Sequence, residues 1–325
     1  KRMGDLRQAI RSFNEAIRIK SDYTDARKNL DKAKRDAVEG WHIPMMNDKT
    51  RNSSYLEALS LAIGRDTFVL EIGTGSGLLS MMALTQGATH VATCESSETI
   101  AEIAQKILHT NGFSEKIKVI NKKSTDLVVG EDIPRKADLI VSEILSAEFV
   151  GEGVRRAIYD ANRRLLDTNG RMIPESGEIR IALLESSPEI LDRVAVGKVL
   201  GFDLSLFNSV TQDKYLLSDL AGKISMLSSP VSAFKIILSL ANTVSEESSI
   251  ITLTAERDGL CLGIIQWLKV QLFKDIEYEN NPCTTYSHWP TPVHVFEKPI
   301  LMTAGQSVQI KAVLFEDEVW FHLLE

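Results

Sequence analysis

The stretch Val69-Leu70-Glu71-Ile72-Gly73-Thr74-Gly75-Ser76-Gly77-Leu78-Leu79 decides the fold. An apolar run of strand length enters a series of alternating glycines and leaves as a helix-forming segment, which reads strand, tight turn, helix. Glycine at 73, 75 and 77 removes the Cβ atoms that would hold a ligand away from the backbone. At the carboxyl end of a parallel strand, such a turn is where open α/β sheets hold their ligands.

The alternation continues outward from this turn. Strand candidates lie at 67–72, 90–95, 117–121, 137–142 and 170–173, with helical patterns near 52–63, 77–86, 98–111 and 152–166 between them. Short apolar runs separated by helices predict a doubly wound parallel sheet. After Pro174 the pattern changes: 178–185, 234–241, 250–256, 264–273, 293–297, 307–315 and 318–324 read as strands with few helices between. That half predicts an antiparallel β-barrel, interrupted by an amphipathic helical insertion at 188–200. Ahead of the sheet, Leu6, Ala9, Ile10, Phe13, Ala16 and Ile17 fall on one helical face, and Ala26, Asn29, Leu30 and Ala33 on a second. With the turn at Ser21-Asp22-Tyr23, this resembles part of a tetratricopeptide repeat, an unrelated helical hairpin being the alternative. The expected division is 1–38 repeat-like pair, 39–173 α/β unit, and 174–325 barrel with an arm at about 186–210.

Composition narrows the function. At 325 residues, 44% hydrophobic and 25% charged, the chain reads as an ordinary globular protein. No apolar run approaches the ~20 residues of a membrane span, and Lys1-Arg2-Met3-Gly4 does not open a signal peptide, so a cytoplasmic or nuclear location is expected. Cys94, Cys261 and Cys283 lack metal-like spacing and read as reduced thiols, with no metal. A net charge of −7 argues against direct nucleic-acid binding and favours basic partners.

Glycine spacing separates the cofactor classes. Dinucleotide sites use G-x-G-x-x-G, whereas here Glu71 ends the strand two residues before glycines at 73, 75 and 77. The second strand ends in Glu95, an acceptor suited to both hydroxyls of a ribose. This resembles motif I of class I methyltransferases. The resemblance implies S-adenosylmethionine as cofactor and S-adenosylhomocysteine as product, bound by Glu71, Gly73, Thr74, Gly75, Gly77 and Glu95, with Ser124 and Thr125 at the adenine edge. Many relatives carry a glutamate at that edge. A nicotinamide site or a purely structural turn are the alternatives.

After the strand candidate at 137–142 comes Ser142-Glu143-Ile144-Leu145-Ser146-Ala147-Glu148-Phe149-Val150-Gly151-Glu152-Gly153. Two glutamates across a loop at the cofactor end of a sheet can converge on one cation, or can simply favour the start of the next helix. The segment resembles the double-glutamate loop of protein arginine methyltransferases, with Glu143 and Glu152 as the pair and Glu148 outside it. A guanidinium with a pKa above ~12 is a poor nucleophile, and paired carboxylates fix its plane and offset its charge.

Two further matches bracket the chain. Met45-Met46-Asn47-Asp48-Lys49-Thr50-Arg51 resembles the family segment that sets Arg51 against the cofactor carboxylate, Asp48 beside the acceptor and Met45 in its pocket. Ser287-His288-Trp289 resembles the threonine-histidine-tryptophan loop, which implies that His288 pairs with Asp48 and that Trp289 walls the acceptor channel. Without the family, His288 reads as a packing histidine. The resemblance spans 41–325 and, with the helical pair in front, points to the tetratricopeptide-bearing branch. It implies an arginine-containing protein substrate, a protein partner on the repeats, and a homodimer or intramolecular pseudo-dimer through the arm, where Ile190, Leu191, Val194, Val196, Val199 and Leu200 would dock unless they pack on their own barrel. A class I methyltransferase with another acceptor, or a repeat scaffold with a dormant catalytic unit, are the rivals.

Overall fold

The computed structural model describes residues 2–238 and 246–324, with only the backbone of 2–5, 7 and 152. Helices α1 (Arg2–Ile19) and α2 (Thr24–Asp36) meet across a short turn. They bury Ile10, Ala33 and Ala37 between them, and Lys34 reaches Glu102 at 2.9 Å to join the pair to the next unit. A short helix α3 (His42–Asn47) then leads into α4 (Lys49–Ala62). Asp48 separates them because its carboxylate accepts from the Arg51 amide at 2.9 Å, capping α4.

Strand β1 (Phe68–Ile72) is followed by α5 (Leu78–Thr85), β2 (His90–Cys94), α6 (Glu98–Thr110), β3 (Ile117–Ile120), β4 (Ala137–Ser142), α7 (Val154–Arg164) and β5 (Leu166–Ile173). The sheet runs β3-β2-β1-β4-β5 and is parallel throughout. Strand order reverses at β1, so the crevice between β1 and β4 opens at their carboxyl ends. All five expected strands are present. The last begins at Leu166, ahead of the expected 170, and the helix expected from 152 begins at Val154.

β1 carries Glu71 in an otherwise apolar strand covered on both faces, and the side chain is 1% exposed. Burial pushes its carboxyl up to about 7, against hydrogen bonds from Ser80 and Thr93 and the attraction of Arg51.

The second half comprises β6 (Ser176–Glu185), α8 (Pro188–Val194), β7 (Lys198–Val199), β8 (Phe202–Asp203), β9 (Lys214–Leu217), β10 (Val231–Ile237), β11 (Glu247–Thr254), β12 (Gly259–Phe273), β13 (Ile276–Glu279), β14 (Thr291–Met302), β15 (Ser307–Phe315) and β16 (Glu318–Leu324). Among the described residues the ladders form two larger antiparallel sheets, β10-β6-β12-β14-β9 with β13 on β12, and β11-β15-β16, in place of one closed barrel. An isolated bridge between Ser228 and Ala255 links the segments before β10 and after β11. The apolar core is continuous from Leu70 and Ile140 of the parallel sheet to Ile179, Leu268 and Leu314 here.

Two expectations change, and two short strands were not expected. The strand expected at 234–241 ends at Ile237, and 239–241 lie outside the described residues. The helix expected over 188–200 stops at Val194, after which the chain forms a two-residue ribbon, β7 with β8. The short strands β9 and β13 carry too few alternating residues to stand out in the sequence.

β12 passes close to β14. Its ladders with β6 and β14 both shift register between Cys261 and Gly263, and a Cβ at Gly263 would lie 1.9 Å from the carbonyl oxygen of His294. No described helix is long and apolar enough to cross a membrane.

Two outcomes follow. Gly263→Ala forces β12 away from β14 and lowers thermal stability by about 3 kcal/mol or prevents folding, read by calorimetry. Glu71 holds its proton more tightly when folded, so its contribution is complete below the unfolded carboxyl pKa, falls as pH rises towards 7, and is lost above it. Glu71→Gln therefore leaves cofactor-free stability unchanged near pH 4 and raises it at pH 8 by roughly 3 kcal/mol at most. Unfolding curves at the two pH values check both the sign and the window.

Candidate active site

Ile72 of β1 and Ser142 of β4 are in register, so the chain beyond each leaves the sheet side by side: the glycine turn from one, the acidic loop from the other. Gly73, Gly75 and Gly77 all have positive φ, at 85°, 51° and 79°. A Cβ at Gly73 would meet the Ile144 side chain at 2.6 Å, so the first glycine lets turn and loop touch. Over Gly75 there is open space among the described residues, so its backbone can face a ligand. The amides of Gly73 and Thr74 both donate to the Cys94 carbonyl, at 3.0 and 3.1 Å. Glu95 receives Gly75 N at 3.2 Å and Ser97 N at 2.9 Å, which aims its carboxylate across the same crevice. The Thr74 hydroxyl meets that of Thr93 at 2.7 Å beneath the turn.

Ser124 is buried and Thr125 exposed on a short 3-10 turn after β3. Arg164 of α7 holds that turn by its backbone, reaching the carbonyls of Ser124, Thr125 and Leu127 at 3.1, 3.0 and 2.7 Å.

Arg51 and Glu143 are the central ion pair. Nη2 of Arg51 donates to Glu143 Oε2 at 2.7 Å, and both side chains are 4% exposed. Nη1 donates to Asn52 Oδ1 at 2.7 Å, and the guanidinium lies 5.1 Å from the Tyr55 ring centre. Its Nε is buried without a partner among the described residues. A buried guanidinium with one unfilled donor, beside open glycine backbone, suits a ligand that brings a carboxylate. The pairing of Arg51 with Glu143 was invisible in the sequence, because the two are 92 positions apart.

Asp48 gathers donors from both halves of the chain. Its Oδ1 caps α4, while Oδ2 accepts from His288 Nδ1 at 3.1 Å and from the Tyr278 hydroxyl at 2.8 Å. Burial raises the Asp48 carboxyl, but the hydrogen bonds from His288, the Arg51 amide and Tyr278 outweigh it and hold it below the usual range. Because Asp48 accepts from Nδ1, the neutral imidazole carries its lone pair on Nε2. Ser287 accepts from Trp289 N at 3.2 Å and meets the Tyr278 hydroxyl at 3.3 Å. Trp289 lies 4.4 Å from the His288 ring and donates through Nε1 to the Leu145 carbonyl at 3.2 Å. Met45 is buried on α3.

The acidic loop is pinned at several points. The Ser146 hydroxyl accepts from Gly151 N at 2.9 Å and Glu148 N at 3.2 Å, drawing its two limbs together. Phe149, at φ 74°, is fully buried against Gly177, where a Cβ would come within 2.1 Å of its ring. Glu148 pairs with Lys214 of β9, and Gly153 N donates to Asp317 at 2.9 Å. Glu152 lies on the 3-10 turn Gly151–Gly153, and its side chain is outside the described residues. Tyr278, Phe149 and Arg164 were not singled out from sequence. Alternation in Ile276-Glu277-Tyr278-Glu279 was the one available signal, and it was four residues long.

In the arm, Ile190 and Val194 pack into their own sheet with Leu217 and Trp267, which corrects their expected place on a docking face. The exposed apolar side chains lie further along: Leu200 at 94%, Leu206 at 87%, with Phe202, Phe207 and Val210. Leu200 sits at φ 50° at the tip of the β7–β8 ribbon.

Comparison with known proteins agrees with this architecture. Residues 50–177 match the family described as Ribosomal protein L11 methyltransferase (PrmA). The chain is 30% identical over 327 residues to Protein arginine N-methyltransferase 7 of Drosophila melanogaster, and covers 86% of itself but 47% of that protein, about half its length. Among solved structures it resembles the Trypanosoma brucei PRMT1 enzyme–prozyme heterotetrameric complex with AdoHcy, at TM-score 0.74 and 19% identity over 89% of this chain and 99% of that one. It also resembles PRMT6–SAH, at TM-score 0.69 and 17% identity over 87% and 99%. At those identities the structures speak for the fold alone. An Arginine N(omega)-methyltransferase of Streptomyces achromogenes subsp. streptozoticus is 32% identical over 277 residues, which is 84% of this chain and 76% of that protein. With that extent of shared sequence, the chain belongs to the protein arginine N-methyltransferase family.

Proposed function

We propose that this protein transfers a methyl group from S-adenosylmethionine to a guanidino nitrogen of arginine in a protein substrate. The observation that carries the reading is Glu143: a carboxylate 4% exposed, one strand from the glycine turn, in a pocket that already closes on a guanidinium, that of Arg51, at 2.7 Å. A site that desolvates a carboxylate this fully favours a partner able to donate in its plane.

The cofactor supplies an electrophilic methyl on a sulfonium. Glu95 suits the ribose hydroxyls, the open backbone at Gly75 the adjoining chain, and the Nε of Arg51, which has no partner among the described residues, the carboxylate. Glu71 shapes the floor of the turn, and Ser124 and Thr125 border the base. Glu143, with Glu152 as the second carboxylate, would orient the acceptor guanidinium so that one nitrogen lies in line with the methyl. Positioning is the larger contribution where the donor is already activated. His288, held by Asp48, is placed to take the proton released as the nitrogen is alkylated. Met45 and Trp289 bound the space beside that nitrogen and so set how many methyl groups fit.

Further elements extend the reading. The helical pair of residues 2–36, with its small-residue interlock, supports the repeat-bearing ninth member as the branch and a protein partner on the repeats. The antiparallel half would stand where the family has its barrel, built here as two sheets, and the apolar tip of the arm would pair with a second catalytic unit, in another chain or the same one. The Streptomyces relative's name lacks the word protein, so free arginine is the second acceptor to test.

Mass spectrometry of an arginine-rich peptide library and of free arginine, each incubated with S-adenosylmethionine, tests the assignment. Added methyl groups on peptide arginine are expected, and a chain that binds the cofactor yet modifies neither acceptor overturns it. Glu143→Gln should lower turnover by about a hundredfold or more, while calorimetry records retained cofactor binding. Replacing Leu206 and Phe207 with aspartate should shift sedimentation towards single chains without altering the fold.

A further inference from the structure

Tyr278 is a buried phenol with no place in the reaction described so far. It stands on β13, the short strand added to β12, and is 2% exposed. Its hydroxyl donates to the same oxygen of Asp48 that takes the His288 Nδ1 proton, at 2.8 and 3.1 Å. The other Asp48 oxygen is taken by the Arg51 amide. Three donors thus share one carboxylate, and two of them share one of its oxygens.

We propose that Tyr278 is a positioning residue that tunes His288: by competing for Asp48 Oδ2 it fixes the carboxylate's rotation and weakens the support Asp48 gives to a protonated imidazole. The inference rests on the reading of His288 as the proton acceptor.

The physical argument is one of shared charge. A carboxylate stabilises an imidazolium in proportion to the negative charge its facing oxygen retains, and a second short donor on that oxygen draws charge away. The phenol and the imidazole thus compete for one oxygen, Asp48 Oδ2, while the Nε2 side of the ring takes no part in that contact. The same hydrogen bond stops Asp48 from turning out of its cap, which keeps the imidazole plane fixed. Tyr278 cannot replace His288, because burial and the neighbouring Asp48 and Glu143 carboxylates push its own ionisation far up. Among the described residues, the other charged and titratable groups around the cluster are Arg51 and Tyr55 of α4 and Glu143 after β4, with Arg51 and Glu143 paired to each other. The neutral neighbours are Ser287 and Trp289.

The test follows the imidazole directly. The full chain labelled with 15N-histidine is titrated by NMR, with the His288 signal identified by its loss in His288→Gln, alongside the pH dependence of kcat on an arginine peptide. In Tyr278→Phe the His288 midpoint should rise by about half a unit, with Nδ1 still protonated, and the acid limb of kcat should rise by the same amount. Should the phenylalanine variant not fold, 3,5-difluorotyrosine at 278, a stronger donor of the same shape, should lower the midpoint instead. A midpoint unmoved by either change overturns the proposal. A midpoint that moves while the kcat profile stays in place upholds the tuning and overturns the role of His288 as proton acceptor.

Discussion

The active site is organised around the carboxylate of Asp48, which begins a helix and ends a catalytic cluster at once. Capping α4 sets where that helix starts, and the first turn so placed puts Arg51 over Tyr55 and against Glu143. The other oxygen reaches into the antiparallel half of the chain, to His288 and Tyr278. Removing that one side chain would release a helix start, a guanidinium and an imidazole together. A buried anion is costly on its own, and here three donors offset the cost.

The parallel sheet was legible because β1 and β4 are strong apolar runs and α6 and α7 have a clear helical period, and the glycine turn marks the point where strand order reverses. The antiparallel strands at the chain's end, β15 and β16, were legible over their length, β12 only from residue 264 on, and β14 only over 293–297 of its twelve residues. They were lost at β9 and β13, four residues each, where alternation is too brief to distinguish from a loop. The insertion at 188–200 read as a helix because its apolar residues fit that period. The structure spends those at Ile190 and Val194 on its own sheet and leaves the exposed apolar tip to Leu200 and the residues beyond.

Within the site, residues in recognisable motifs were found and their supports were not. Asp48 and His288, 240 positions apart, were paired through the family resemblance, and the structure brings them to 3.1 Å. Tyr278 joins the same oxygen with no motif to announce it. Arg51 was assigned to a ligand carboxylate and proves also to hold Glu143, 92 positions along the chain. Such contacts are set by tertiary geometry, which local sequence spacing does not encode.

The burial of Phe149 beneath Gly177 bears on how the chain can be divided. Its ring belongs to the acidic loop, and its socket is the first strand of the antiparallel half. Cutting the polypeptide at Pro174 would strip a fully enclosed aromatic of its cover and leave its left-handed backbone held only from within its own loop. The two halves meet in topology at that proline, yet in packing they are a single body, and neither is a fragment to be dissected from the other.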